Sequence, residues 1–414
     1  MKSLINIMLI VAAGLMVHPA TIPYGQVLLL LSTGLMVFGA EPAELNRAVV
    51  VGAVGAVAVG VAGLSAAWEN LDSMDVARTL RSLAIPLACM LATMLGWRRF
   101  RAGLWGAAVV HGLGYTALAI ATVYFSAEYF EPGVGMVGGE GRKFQKLFDP
   151  MSVIYAPALS SMAFGAVVAG GGFFLSRNRV VRVVSLLCTA AIVTTAMWLG
   201  NKSATYSVVV CSILAYLVAS RGAGSLTLKA LVIVGSMVMA WAAFSERFAD
   251  SKRMARLTDD WDSSFTGRTA VWRDALPDVG RYPFGVTIER WQDELGFSEH
   301  NTPLQVIRVF GWIPGSIFAM GYCVLALTPF LLWRMGGPYR SRYAPFVIAA
   351  AWPCCIISGV ESVAMGPSGT MYGLCAMTGF CIIHATAKHS EEPITKRAVK
   401  KDASFHHNPN LARR

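Results

Sequence analysis

The sequence predicts an all-α, polytopic membrane protein with about twelve transmembrane helices and a large helical outer loop between spans nine and ten. Three observations lead there. The chain has 414 residues, of which 55% are apolar and 14% charged, whereas a soluble domain carries about 25% charged residues. The charges are clustered, and apolar runs of roughly 17 to 25 residues recur between the clusters, long enough to cross a hydrocarbon core as helices. The short alternating segments of a transmembrane β-barrel are missing from the pattern.

Taken in order, the spans are expected near 3–18, 24–40, 48–67, 82–97, 103–126, 153–175, 181–199, 205–220, 228–245, 303–333, 343–360 and 369–387. Residues 1–18 look like a signal peptide, with Lys2 before an apolar run. His18-Pro19 is a poor cleavage site, so the stretch reads as the first span. The tenth run contains Gly311 and Pro314, which predict either an interfacial helix at its start or a kink. Residues 1–387 read as one transmembrane domain that includes outer loops 127–152 and 246–302. Residues 388–414 are polar and basic, the composition of a disordered cytoplasmic tail that contacts the anionic inner leaflet. No internal repeat is visible.

Orientation follows from Lys and Arg in the short connections. Arg47, "RRFR" (98–101), "SRNRVVR" (176–182), Arg221, Lys229, Arg334, Arg340 and Arg342 fall on one side, with Lys2 and the carboxyl-terminal tail. The opposite short connections, "HPATIPYGQ" (18–26) and "ESVAMGPSG" (361–369), contain no Lys or Arg. Both termini are therefore expected in the cytoplasm. The net charge of +11 is mostly this topology signal, not a nucleic-acid patch, which would need basic residues clustered on a folded polar surface. The eight cysteines all lie inside apolar runs. They read as small buried hydrophobes, with no zinc spacing and no disulfide framework.

Two outer segments carry the polar chemistry. The first, "AEYFEPGVGMVGGEGRKFQKLFDP", holds Arg142, Lys143 and Lys146 beside glycines. The second, 246–302, has eight Lys/Arg and eleven Asp/Glu, and reads as a lid over the membrane domain. Most of these charges have the composition of solvated surface. Lys202 sits in a very short outer turn, "GNKSATYS", pinned close to the membrane. It either snorkels or faces an anion. Arg142, Lys202 and Arg268 could line one outer cavity suited to a pyrophosphate, since arginine meets such groups with a planar fork of donors. Scattered surface charge is the alternative.

The stretch "FSEHNTPLQVI" (297–307) puts a histidine and an asparagine before a helix entering the membrane. Thr302 suits an N-cap and Pro303 the first helical position. His300 is then either a proton acceptor at the interface or simply a cap of the loop.

The string "GRTAVWRDALPDVGRYPFG", followed by "HNTPLQVIRVFG", resembles the carboxyl-terminal signature of the O-antigen ligase and polymerase superfamily. Gly267, Arg268, Trp272, Pro283, Gly285, His300, Asn301, Leu304 and Gly311 fit it, with Gly311 eleven residues after His300. Arg142 followed eight residues later by Pro150 resembles the family's earlier outer loop, and "NKSATYS" its "SR-x-A" turn, with Lys202 in the arginine position. The matches cover about 142–311. Departures are the single glycine in "PFGVTIERW", Arg308 and Val309 where an acid is common, and Lys202 for Arg.

The resemblance implies a glycosyltransferase of the bacterial inner membrane, working at its periplasmic face without metal or other cofactor. Its donor is a glycan on polyprenyl pyrophosphate. The acceptor is a sugar hydroxyl, on lipid A core for a ligase or on a second lipid-linked glycan for a polymerase. Arg142 and Arg268, with Lys202, would stabilise charge on the leaving pyrophosphate. His300 would take the acceptor proton, and Asn301 and Trp272 would help bind substrate. Direct displacement implies inversion.

Two other readings compete. Asp260 and Asp262 have the acid-x-acid spacing of metal-dependent nucleotide-sugar transferases, but no βαβ pattern surrounds them. A transporter or flippase for an anionic lipid would want ionisable groups at mid-membrane. His111 and Tyr115, at i,i+4 spacing, are the candidates, and an interhelical hydrogen-bonding pair explains them equally. Glu361 lies at an outer helix end, where it either assists the site or is solvated.

Overall fold

The computed structural model describes residues 1–18, 20–68, 73–125, 130–131, 135–136, 143–146, 149–155, 171–198, 202–219, 283, 285, 301–335, 337–360 and 369–386. Among these, helix dominates. The helices are α1 (Lys2–Leu15), α2 (Ile22–Val37), α3 (Pro42–Trp68), α4 (Ser73–Gly96), α5 (Arg101–Phe125), α6 (Arg179–Trp198) and α7 (Lys202–Ala219). The carboxyl-terminal half adds α8 (Thr302–Phe310), α9 (Trp312–Met335), α10 (Gly337–Ala350), α11 (Trp352–Val360) and α12 (Gly369–Thr386). Expected span 228–245 and most of 153–175 lie outside the described residues, as does the tail from 387; residues 171–175 are helical.

Among the described residues, four stretches are long and apolar enough to cross a membrane: Pro42–Leu64, Arg179–Ala196, Trp312–Leu332 and Tyr343–Val360. Shorter apolar helices stand beside them, among them Lys2–Leu15, Ile22–Val37, Leu80–Gly96 and Tyr206–Ala219. Large apolar side chains face outward along these helices, including Leu4 and Ile7 of α1, Val50 and Val57 of α3, Leu187 of α6 and Phe330 of α9. A water-soluble surface avoids so continuous an apolar face, whereas lipid requires one. The helices are those of a membrane protein.

Strands are the exception to the all-α expectation. Between α5 and residue 156, β1 (Phe130–Glu131) pairs antiparallel with β2 (Gly135–Met136), and β3 (Lys143–Lys146) with β4 (Asp149–Tyr155). In the second hairpin Lys143 stands opposite Tyr155 and Lys146 opposite Asp149. Val153, Ile154 and Tyr155 are β-favouring residues, so β4 takes the first residues of the apolar run that the sequence assigns to span six.

Among the described residues the two largest apolar cores draw on most of the helices. One gathers α1, α2, α3 and α4 around Ile5, Leu9, Leu29, Met36, Ala88 and Leu95. The other gathers α6, α7, α9, α10, α11 and α12 around Ile192, Val208, Leu325, Val347, Ile357 and Phe380. Helix α12 serves both, giving Tyr372 to the first and Leu374, Met377 and Phe380 to the second. It approaches α4 so closely that a Cβ on Gly379 would lie 2.5 Å from the carbonyl oxygen of Met90. Small residues permit such backbone approach in membranes, where packing drives association. Most of the cysteines are buried or half-buried; Cys323 instead lies exposed on α9.

Proline marks the irregularities. The expected span 343–360 turns at Ala351 between α10 and α11, yet the ladder continues on both sides. Ala351 N donates to the Val347 carbonyl (2.8 Å) and Cys355 N to the Ala351 carbonyl (3.0 Å). Pro353 has no N–H to offer four residues back.

His111 and Tyr115 hold the end of α1. His111 Nδ1 lies 3.2 Å from the Ala13 carbonyl, and Tyr115 Oη donates to the Met16 carbonyl at 3.0 Å. The last carbonyls of a helix have no partner within it; here two side chains of α5 supply them. The pair acts as the interhelical hydrogen-bonding device.

Among the described residues, the basic connections of Arg47 and Arg98 meet at one end of the bundle. Arg98 pairs with Glu41 (3.0 Å) and Glu44 (3.4 Å), and Arg47 donates to the Thr386 carbonyl (3.3 Å).

Candidate functional site

The signature stretch folds into a joint between α8 and α9. Asn301, extended at φ −151° and ψ 111°, is the N-cap of α8: its Oδ1 accepts from Leu304 N at 2.9 Å. The expected cap was Thr302. The cap is one residue earlier because asparagine reaches the third helical N–H while Thr302 and Pro303 enter the first turn, where a missing N–H is tolerated. Thr302 is fully buried instead. The Asn301 amide has a second role: Nδ2 donates to the Gly359 carbonyl at 3.1 Å. It therefore joins α8 to the last turn of α11, two residues before Glu361.

Helix α8 ends at Gly311, where φ is +83°, a conformation that only glycine adopts freely. The expected long tenth run is thus two helices. Trp312 N, the first donor of α9, has no partner within α9 and donates to the Pro283 carbonyl at 3.1 Å. Gly285 also has positive φ (+88°), and a Cβ there would fall 2.2 Å from the Val309 carbonyl oxygen. On the other face Gly315 of α9 lies against Ile307, with its would-be Cβ 2.5 Å from the Ile307 Cα. Four signature residues, Pro283, Gly285, Asn301 and Gly311, thus belong to one interlocked joint. Their spacing in sequence marks them; the contact that makes each necessary is tertiary.

Sequence reasoning missed the partners of this joint. Tyr322 Oη donates to the Cys355 carbonyl at 2.8 Å, and a Cβ on Gly359 would lie 2.8 Å from that tyrosine Oη. No local pattern announces a tyrosine bracing a glycine 37 residues away. Arg308, a departure from the signature, is 1% exposed in the last turn of α8. A cation there complements the helix dipole, and its burial demands compensation by the surrounding chain.

The joint's height in the bundle can be measured along α3. Val306, Val309 and Phe310 of α8 pack with Ala62 of α3, while Glu44 of α3 meets Arg98. Eighteen residues of unbroken helix separate Glu44 from Ala62, a rise of about 27 Å, close to the ~30 Å hydrocarbon thickness. The joint and the Arg98 cluster sit at opposite ends.

Lys202 is the first residue of α7. Free N–H groups at a helix start favour an anion, and the dipole disfavours a cation there. Of the other candidates, Arg142, Arg268, Trp272 and His300 lie outside the described residues, as do Asp260, Asp262 and Glu361. His300 directly precedes the cap residue in the chain. The chain matches no protein-family model, and no curated protein is significantly similar to it.

Proposed function

We propose that the chain is a metal-independent, inverting glycosyltransferase that moves a glycan from polyprenyl pyrophosphate to a sugar hydroxyl, in the manner of an O-antigen ligase, with lipid A core as acceptor. One observation carries the reading. Pro283, Gly285, Asn301 and Gly311, the residues through which the sequence resembles the ligase and polymerase superfamily, converge in one joint at the end of the bundle opposite the basic connections. With the basic end in the cytoplasm, the joint belongs at the periplasmic surface of the inner membrane, with 246–302 outside. About twelve spans and cytoplasmic termini complete this topology.

In the proposed reaction the acceptor oxygen attacks the anomeric carbon from the face opposite the pyrophosphate. The carbon–oxygen bond to the pyrophosphate breaks, and the acceptor proton passes to neutral His300. Arg142 and Arg268 neutralise the charge developing on the leaving group, with Lys202 at the start of α7 as a third cation. Asn301 fixes the chain next to His300 through its two hydrogen bonds, and Trp272 helps bind the glycan.

The test is transfer of a purified polyprenyl-pyrophosphate glycan in detergent, with lipid A core and a second lipid-linked glycan as separate acceptors. His300→Ala is expected to stay folded and lose about 100- to 10,000-fold in rate. Transfer at the wild-type rate refutes the role. Transfer only to the second glycan makes the enzyme a polymerase.

A further inference from the structure

A cavity of about 760 Å³ lies between α1, α5, α12 and residues 172–181. Its size is that of a pocket that encloses a ligand of several tens of atoms. The wall is mostly aliphatic and aromatic, with Leu9, Met16, Leu104, Ala376 and Phe380 among its residues. One end is different: Arg101, Ser176, Arg177 and Asn178 line it. Arg101 and Arg177 are exposed, and neither has a carboxylate partner among the described residues. Arg98, three residues from Arg101, is by contrast paired with Glu41 and Glu44. Among the described residues, the cavity mouth thus carries positive charge without a carboxylate partner, at the level of the basic connections.

On α5 the lining runs from Arg101 to His111, ten residues and so about 15 Å of rise, and on α12 from Phe380 to Gly369, the first residue of that helix. Beside the cavity the His111 Nδ1–H donates to the Ala13 carbonyl. The apolar wall suits an acyl tail, and the arginine end a headgroup bearing phosphate.

We propose that this cavity is a binding site for an anionic phospholipid of the leaflet on the Arg101 side, its acyl chain between α1, α5 and α12 and its phosphate at Arg101 and Arg177. The site is independent of the transfer reaction proposed above, whose carrier lipid would act at the other end of the bundle. The bound lipid fills the seam between the two apolar cores, which meet along α12.

Native mass spectrometry of the full chain, released from detergent with phosphatidylglycerol or phosphatidylcholine, tests this. Phosphatidylglycerol is expected to be retained preferentially. Arg101→Gln with Arg177→Gln should lower its retention by roughly 10- to 30-fold, given the attraction of two surface arginines for an anionic lipid, and leave phosphatidylcholine unchanged. Ala376→Phe, or Ala108→Leu where that variant fails to fold, should lower retention of both by filling the cavity. Equal retention of the two lipids by the wild type overturns the proposal. So does undiminished phosphatidylglycerol in the arginine double variant, or displacement of it by an equal concentration of polyprenyl phosphate.

Discussion

Gly285 sits against Val309 with no room for a methyl group: a Cβ would fall 2.2 Å from the Val309 carbonyl oxygen, at a backbone φ of +88°. Both the clash and the dihedral oppose substitution. Gly285→Ala is therefore expected to cost about 3 kcal/mol or more, from overpacking and left-handed strain together. Gly34→Ala is the control, since nothing lies within 4 Å of its would-be Cβ. It should leave the protein unchanged or stabilise it by about 0.5–1 kcal/mol. Thermal unfolding in detergent compares them, and equal midpoints would remove the joint from the argument.

Asn301 should separate into its two bonds. Asn301→Asp keeps an acceptor for Leu304 N but loses the donor to Gly359. It is expected to cost about 1 kcal/mol. Asn301→Ala loses both and should cost about 2 kcal/mol. If Asp proves as harmful to the unfolding midpoint as Ala, the cap contributes nothing.

The α1–α5 clasp gives a prediction that bears on transport. Tyr115→Phe leaves the Met16 carbonyl without its donor and should cost about 0.6–1.7 kcal/mol, the range for hydrogen bonds between membrane helices. Glycan transfer should persist at the unfolding-corrected level. Proton-coupled lipid flux in liposomes that disappears with His111→Phe would make the histidine a working group of a transporter.

The proposed leaving-group site predicts sensitivity to geometry rather than to charge alone. Arg268→Lys keeps the cation but replaces a two-pronged donor by a point charge. Transfer should fall on the order of tenfold to a hundredfold, and a chelator should leave the wild-type rate unchanged. An unaffected lysine variant would place Arg268 on the solvated surface.

Topology can be read with reporters. One fused after Arg414 should be active only in its cytoplasmic form, and one inserted within 246–302 only in its exported form. The reverse pattern would overturn both the orientation and the periplasmic site.

Helix extents were legible where long apolar runs end in charge or glycine. The expected 103–126, 181–199 and 369–387 correspond to Arg101–Phe125, Arg179–Trp198 and Gly369–Thr386. Features decided by distant contacts were not. The second bond of Asn301 depends on Gly359, and the meaning of Gly285 depends on Val309. The strands between Phe130 and Tyr155 were hidden because β4 borrows the opening of an apolar run. Of the candidate site, the sequence marked the residues of the joint by spacing, but spacing cannot say that Pro283 feeds the first N–H of α9.

The clasp on α1 also imposes an order on biosynthesis. The carbonyls of Ala13 and Met16 wait for side chains 98 and 99 residues further along the chain. At a synthesis rate of roughly 5–20 residues per second, about 5–20 s pass before those donors leave the ribosome. Until then the first helical hairpin has an incomplete end within reach of lipid, where an unsatisfied carbonyl is costly. The end of α1 is therefore expected to stay near water until α5 arrives.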